Sequence, residues 1–172
     1  MTESSGAVAE VARDVMSRVA FGLEVVTLSD PDGVPRGMTI SSLTQVSAEP
    51  PSVLVCLGPQ ASITRSLSPG QTFCVNVLAS DQVDESYGFS YGTEDPFEAF
   101  DWSPAADGTP ILSGTAAHLM CVVERVVDHH GSAVVLSKVV GGAVHKDETL
   151  VYWRKQYFSD LGPAVPGMRG TW

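Results

Sequence analysis

Five hydroxyls crowd one stretch of the chain, Arg36-Gly-Met-Thr-Ile-Ser-Ser-Leu-Thr-Gln-Val-Ser47: Thr39, Ser41, Ser42, Thr44 and Ser47. Hydroxyls beside exposed backbone N–H groups can hold a phosphate or the polar edge of a ring without adding net charge. The same spacing also suits a polar strand edge closed by hydroxyl-backbone turns. A second candidate follows at Gly58-Pro-Gln-Ala-Ser-Ile-Thr-Arg-Ser-Leu67, where Ser62, Thr64 and Arg65 open a short helix. Free N–H groups and the dipole at a helix start favour an anion, although Ser62 also reads as an ordinary cap and Arg65 as a solvated side chain.

Other chemistry-bearing residues are placed less suggestively. His129 and His130 invite a metal reading, yet neighbours on a strand point to opposite faces and no third ligand stands near them, so no metal is expected. Cys56, Cys74 and Cys121 are far apart, each inside an apolar run. The odd count and the lack of CxxC point to buried thiols in a reducing cytoplasm. There is no GxGxxG after a strand, no Walker loop, no HExxH and no GxSxG. No nucleophile and base can be assembled from the four histidines.

Composition narrows the partners. The formal net charge of −10 argues against nucleic acid and against anionic membranes. Glu3 stands where a signal peptide would carry positive charge, and no apolar run nears the ~20 residues that span a bilayer. A cytoplasmic protein is expected. At 172 residues, 44% hydrophobic and 17% charged, one compact domain with a real core is expected as well.

The elements that must position these residues are legible in outline. Val8, Val11, Ala12, Val15, Met16 and Val19 fall at helical spacing, predicting an amphipathic helix over 5–19, capped by Ser4 or Ser5, that packs on the domain or on a partner subunit. Residues 23–28 read as a strand. Asp30-Pro-Asp-Gly33 reads as the turn of a hairpin, and Met38 and Ile40 alternate with Thr39 and Ser41 on the returning strand. Residues 52–57 are apolar enough to suggest a strand buried on both faces, and 72–78 make another strand. Ser80-Asp81 caps a short polar helix reaching Tyr87, and 88–108 is a long loop whose aromatics could stack on a planar ligand or cover a hydrophobic edge. Strands at 116–127 and 133–144 flank the turn Asp128-His-His-Gly131. A last strand covers 150–153, and a tail with little regular structure follows Tyr157. About seven strands joined by tight turns make a mainly β fold, an antiparallel β-barrel with peripheral helices. Three regions are expected: an N-terminal helix over 1–20, a barrel domain over 21–158 and an irregular tail over 159–172.

Several stretches together resemble the flavin reductase-like family with the FMN-binding split barrel, the short-chain reductase components of two-component flavin monooxygenases. They are Gly37-Met-Thr-Ile-Ser-Ser42, Val46-Ser47 and Pro50-Pro-Ser-Val-Leu-Val55, then Ala61-Ser-Ile-Thr-Arg65 and Phe73-Cys-Val-Asn-Val-Leu78. Phe97 to Trp102, Pro110-Ile-Leu112 and Tyr152 to Tyr157 follow in the same order. The resemblance implies a split antiparallel β-barrel, a homodimer, and FMN or FAD held near the subunit interface. NADH or NADPH would be the co-substrate, and a monooxygenase component a possible partner. Thr39, Ser41, Ser42 and Ser47 would line the isoalloxazine and ribityl chain, with Ser62, Thr64 and Arg65 at the phosphate. Met38, Ile40, Ala61, Phe97 and Tyr157 complete the implied cofactor-binding set. One departure stands out: Gly131-Ser132-Ala133 places alanine where the family commonly carries a histidine tied to nicotinamide binding. His129 and His130 would replace it only if the turn were longer. The alternative is therefore a flavin-binding enzyme of this fold that lacks the NAD(P)H step and uses bound flavin on an organic substrate.

Overall fold

The computed structural model describes residues 5–59, 62–92 and 95–162. Its centre is one antiparallel sheet of seven strands. β2 (Glu24–Ser29) and β3 (Pro35–Ile40) form the expected hairpin, followed by β4 (Thr44–Ala48), β5 (Pro51–Leu57) and β6 (Thr72–Val77). The long strands β9 (Ala117–His129) and β10 (Ser132–Val144) complete it, in the order β3-β2-β6-β9-β10-β5-β4. β1 (Phe21–Gly22), β11 (Val151–Trp153) and β12 (Gln156–Phe158) make a small second sheet, and β7 (Trp102–Pro104) pairs with β8 (Pro110–Leu112). The mainly β, antiparallel expectation holds. The large sheet curls so that Val26, Leu28 and Ile40 from one end meet Val53, Val55 and Leu57 from the other round Phe73, Val75, Val123 and Val135. Its edge strands β3 and β4 are not paired with each other, which leaves the barrel split. Burying each such side chain contributes about 1.5–3 kcal/mol.

The turn chemistry is local. Asp30 accepts hydrogen bonds from the N–H groups of Asp32 and Val34 and pairs with Arg36, while Gly33 takes φ +80°. Those donors, Val34 foremost, hold the Asp30 carboxyl below its usual range. His130 and Gly131 both take positive φ between the paired His129 and Ser132, a two-residue hairpin turn.

Several expectations are corrected. The leading helix α1 (Ser5–Met16) ends three residues early, in a turn where the Ser17 and Val19 N–H groups reach back to Arg13 and Met16. Ser4 and the Ser5 side chain, its expected caps, lie outside what is described. Its apolar face does not pack on this chain: Val8, Val11, Val15 and Met16 are all more than half exposed. β5 buries only one face, because it lies beside β4 near the sheet edge; Val53, Val55 and Leu57 point in and Cys56 points out. Cys56 is therefore an exposed thiol, whereas Cys74 and Cys121 are buried as expected, and burial pushes both thiols up to about 12. The hydroxyl stretch does not stay a loop but returns as β4. The short helix α2 (Val83–Tyr87) begins after Gln82, whose amide oxygen accepts the Ala79 N–H.

The long loop is more regular than its composition suggests. It holds a π turn (Gly88–Gly92), the one-turn helix α3 (Pro96–Ala99) capped by Asp95, and the β7–β8 hairpin. Its aromatics cover an apolar edge: Phe97 meets Phe89 and Trp102 edge to face, and the three pack in one cluster with Leu23, Val25 and Leu150. Buried Asn76 ties this cover down, donating to Val25 and Thr27 and accepting the Leu112 N–H. Residues 156–158, which follow the last expected strand, form a further short strand, β12, because Arg154 and Lys155 take left-handed conformations and turn the chain back onto β11. Most of the expected tail, 163–172, lies outside the described residues.

Candidate functional site

β3 carries the site. Its odd residues face away from the main core, and its register against β2 places Thr39 beside Val25 and Ile40 beside Glu24. At its end a pocket of about 200 Å³ opens, walled by Thr39, Ile40 and Ser41 from β3 and its exit and by Tyr157 from β12. Leu23 and Tyr152 complete the apolar wall, and Ser86 and Ser90 the rim. The rings of Tyr152 and Tyr157 meet at 5.4 Å, so two aromatics stand opposite a row of hydroxyls. Thr39 and Ser90 both donate to the Ser86 carbonyl, which holds the rim to β3. Ser41 is exposed, and its hydroxyl makes no hydrogen bond among the described residues. Such a wall offers aromatic faces and small polar groups, the combination that suits a planar heteroaromatic ring.

Four expected site residues, Thr39, Ile40, Ser41 and Tyr157, are thus brought together. Others serve the frame. Met38 packs on the main core, on the opposite face from Thr39. The Ser42 hydroxyl is taken up by the Cys56 backbone, donating to its carbonyl at 3.0 Å and accepting its N–H at 2.9 Å. Its proton and one lone pair are thereby committed to the frame. Ser47 lies on β4 opposite Ser52, away from the pocket wall. Phe97 is fixed between Phe89 and Trp102 and sits so close to Gly37 that a Cβ there would lie 3.1 Å from its ring. It belongs to the aromatic cover.

The phosphate-side candidates sit on a 3-10 turn, Ser62–Ser66, packed beside β3. Ala61 and the Ser62 side chain lie outside the described residues. Five residues of 3-10 turn carry little macrodipole, so N–H groups, hydroxyls and charge must do the work there. Thr64 is half-buried and already engaged, and Arg65 is exposed with no ion pair among the described residues. No described group of three or more His, Cys, Asp or Glu could hold a metal ion.

Ala133 is buried in the main core beside Val135. Because the turn has only two residues, His129 pairs with Ser132 and Ala133 with Asp128, which puts His129 on the other face of the hairpin. Neither turn histidine can take the place of a side chain at 133. Besides Leu23 and Tyr152 of the apolar wall, three polar residues escaped the sequence reading. Ser86 and Ser90 carry no pattern that marks them. Glu24 did carry a signal, a single acid in a β-branched strand, and it proves to be buried, in register with Ile40 of the pocket wall.

The Flavin reductase like domain family model matches residues 16–159. The chain belongs to the flavin reductase like family. Among relatives of this flavin reductase like chain, the probable flavin reductase of Rhizobium meliloti (strain 1021) is 35% identical over 147 residues, covering 86% of the chain and 47% of the relative. The reductase subunit HsaB of a flavin-dependent monooxygenase from Rhodococcus jostii (strain RHA1) is 33% identical over 146 residues, covering 84% and 74%. The Streptomyces globisporus C-1027 NADH:FAD oxidoreductase SgcE6, solved in complex with NAD and FAD fragments, superposes with a TM-score of 0.80 at 27% identity, covering 98% of this chain and all of that one. The chain spans about half the length of the first of these relatives. No described helix is long and apolar enough to cross a membrane.

Proposed function

We propose that the chain is an NAD(P)H:flavin oxidoreductase that supplies reduced FMN or FAD to a partner monooxygenase. The observation that carries this reading is the meeting of Thr39, Ile40 and Ser41 with Tyr152 and Tyr157 in one pocket at the end of β3. The residues present suit a flavin: aromatic and aliphatic groups for the ring face, hydroxyls and backbone for its polar edge, and the 62–66 turn with Arg65 along the same strand for the phosphate. A bound flavin supplies the acceptor for a hydride from NADH or NADPH. The protein then has to bind and orient, and the lack of an acid–base pair in the pocket fits that division of labour. The monooxygenase reductase subunit among the relatives supports the partner, and SgcE6 supports the nucleotide and flavin pair.

A homodimer and a cytoplasmic setting belong to the same proposal. At about 200 Å³ the pocket is smaller than the ~300–1,000 Å³ usual for small-molecule sites, which supports a site completed by a second copy. The uncovered apolar face of α1 supplies surface for that contact.

Absorbance at 340 nm tests the activity. Purified protein oxidises NADH or NADPH only when FMN or FAD is added. No turnover with any of the four combinations refutes it. Ala133 favours one second reading, a flavin-binding enzyme without the NAD(P)H step that acts on an organic substrate. Its mark is flavin that survives gel filtration yet is not reduced by either nucleotide.

A further inference from the structure

Glu24 is 6% exposed, at the start of β2, and its side chain shares the main-core side of the sheet with Val26 and Ile40. The Leu43 backbone N–H is hydrogen-bonded to its carboxyl, while Oε2 is buried with no partner among the described residues. A Cβ on Gly22 would lie 3.0 Å from Oε1, so that glycine makes room for the group. The carboxyl is also wired to the pocket. Its chain neighbour Leu23 and its register partner Ile40 both line the pocket wall, and the bond to Leu43 pins the segment that carries Ser41 and Ser42. Ser42 pins the same segment from the other side, through Cys56. Ser42 is therefore held by a permanent clamp and Leu43 by an ionisable one, with Ser41 next in the chain.

We propose that Glu24 is the proton-responsive support of the 41–43 segment, so that a flavin binding at the adjoining pocket is accompanied by proton uptake at its carboxyl. The inference rests on the flavin reading above. A buried carboxylate with one hydrogen bond is poorly compensated, and burial has already pushed this group up to about 7. A ring laid over Leu23, Ile40 and Ser41 removes more water from its surroundings and favours the neutral acid further. The proton comes from solvent and ends on the carboxyl, and nothing is oxidised or reduced. Among the described residues no charged group competes for control. Gly22 on β1, Ile40 on β3, Leu43 and Val77 on β6 surround it, none of them titratable. Arg36, at the far end of β3, is paired with Asp30. On β6, Cys74 is a thiol that stays neutral at these pH values, and on β11 Tyr152 lines the pocket. Glu24 is a positioning residue and does not touch the reacting atoms.

The test is riboflavin binding by fluorescence quenching at pH 6 and pH 8, with riboflavin used because it carries no titrating phosphate. In the wild-type protein the dissociation constant rises about five-fold between the two pH values. In Glu24→Gln it stays constant within about two-fold. Glu24→Met, of similar length and not ionisable, gives the same flat profile and serves if the amide folds poorly. Calorimetry at pH 7.5 in two buffers of different ionisation enthalpy shows proton uptake for the wild type and none for either variant. Equal pH slopes in wild type and variants overturn the inference and leave the flavin reading standing. Absence of flavin binding by the wild type at either pH overturns both.

Discussion

The Ser42 hydroxyl grips the Cys56 backbone at both ends, donating to its carbonyl and accepting its N–H. A side chain here does the work of a missing rung, since β3 and β5 are not hydrogen-bonded neighbours in the sheet. The grip directs one hydroxyl inward to structure and leaves the adjacent Ser41 to face the pocket. Ser42→Ala should therefore lower stability by about 1–3 kcal/mol, the cost of leaving backbone groups unpaired, with a visible drop in thermal midpoint. Flavin affinity should fall with it, although no direct ligand contact is lost. An unchanged melting curve would show that water replaces the hydroxyl without cost.

The two ends of the flavin separate by mutation. Hydrogen bonds to a charged phosphate contribute about 1.5–3 kcal/mol each, so Thr64→Ala should weaken FMN binding roughly ten-fold or more while riboflavin hardly changes. Ser41→Ala should weaken both, because both share the ring. Fluorescence titrations of each variant with the two ligands decide it. Equal loss of both flavins in Thr64→Ala would remove the 62–66 turn from the phosphate site.

Glu24 makes fold stability pH-dependent in a defined direction. Burial raises its carboxyl from 4.5 to about 7 in the folded protein, so the folded state holds this proton more tightly than the unfolded chain. Its stability contribution is complete below about pH 4.5 and is lost as pH rises towards 7, on the order of 3 kcal/mol in all. Glu24→Gln should accordingly unfold at a higher temperature than wild type at pH 8, with the difference shrinking towards pH 5. Urea melts at the two pH values measure it, and a difference that grows towards pH 5 would reverse the assignment.

The apolar face of α1 predicts the assembly. Light scattering should give about twice the 18.2 kDa chain mass. Val11→Glu with Val15→Glu places two charges on that face and should yield monomers that bind flavin weakly, while the fold by circular dichroism is kept. A double variant that remains dimeric would move the interface elsewhere.

Gly37 tests the aromatic cover. A Cβ there would lie 2.7 Å from the Phe89 ring and 3.1 Å from Phe97, inside a packed cluster. Gly37→Ala should cost about 1–3 kcal/mol and make the 88–104 region more susceptible to limited proteolysis. Unchanged cleavage would mean that the cover yields without strain.

Local patterning was enough for much of this protein. Turn residues at 30–33, the alternation of Met38 and Ile40 with Thr39 and Ser41, and the apolar spacing of α1 are short-range signals; the hairpin stands where they place it, and α1 does so up to Met16. The resemblance carried by ordered motifs pointed to the family that the chain belongs to. Tertiary structure alone decided which hydroxyls face a ligand. Ser41 and Ser42 are identical neighbours in sequence, yet one opens to the pocket and the other closes on Cys56, because β5 passes within reach of only one of them. It also decided that Cys56 is exposed, that Phe97 serves the cover, and that Ala133 and His129 lie on opposite faces of a two-residue hairpin. Residue type and spacing set what a side chain is able to do. Which partner comes within a hydrogen bond of it depends on strands far away in the chain, and only the closed fold brings those strands together.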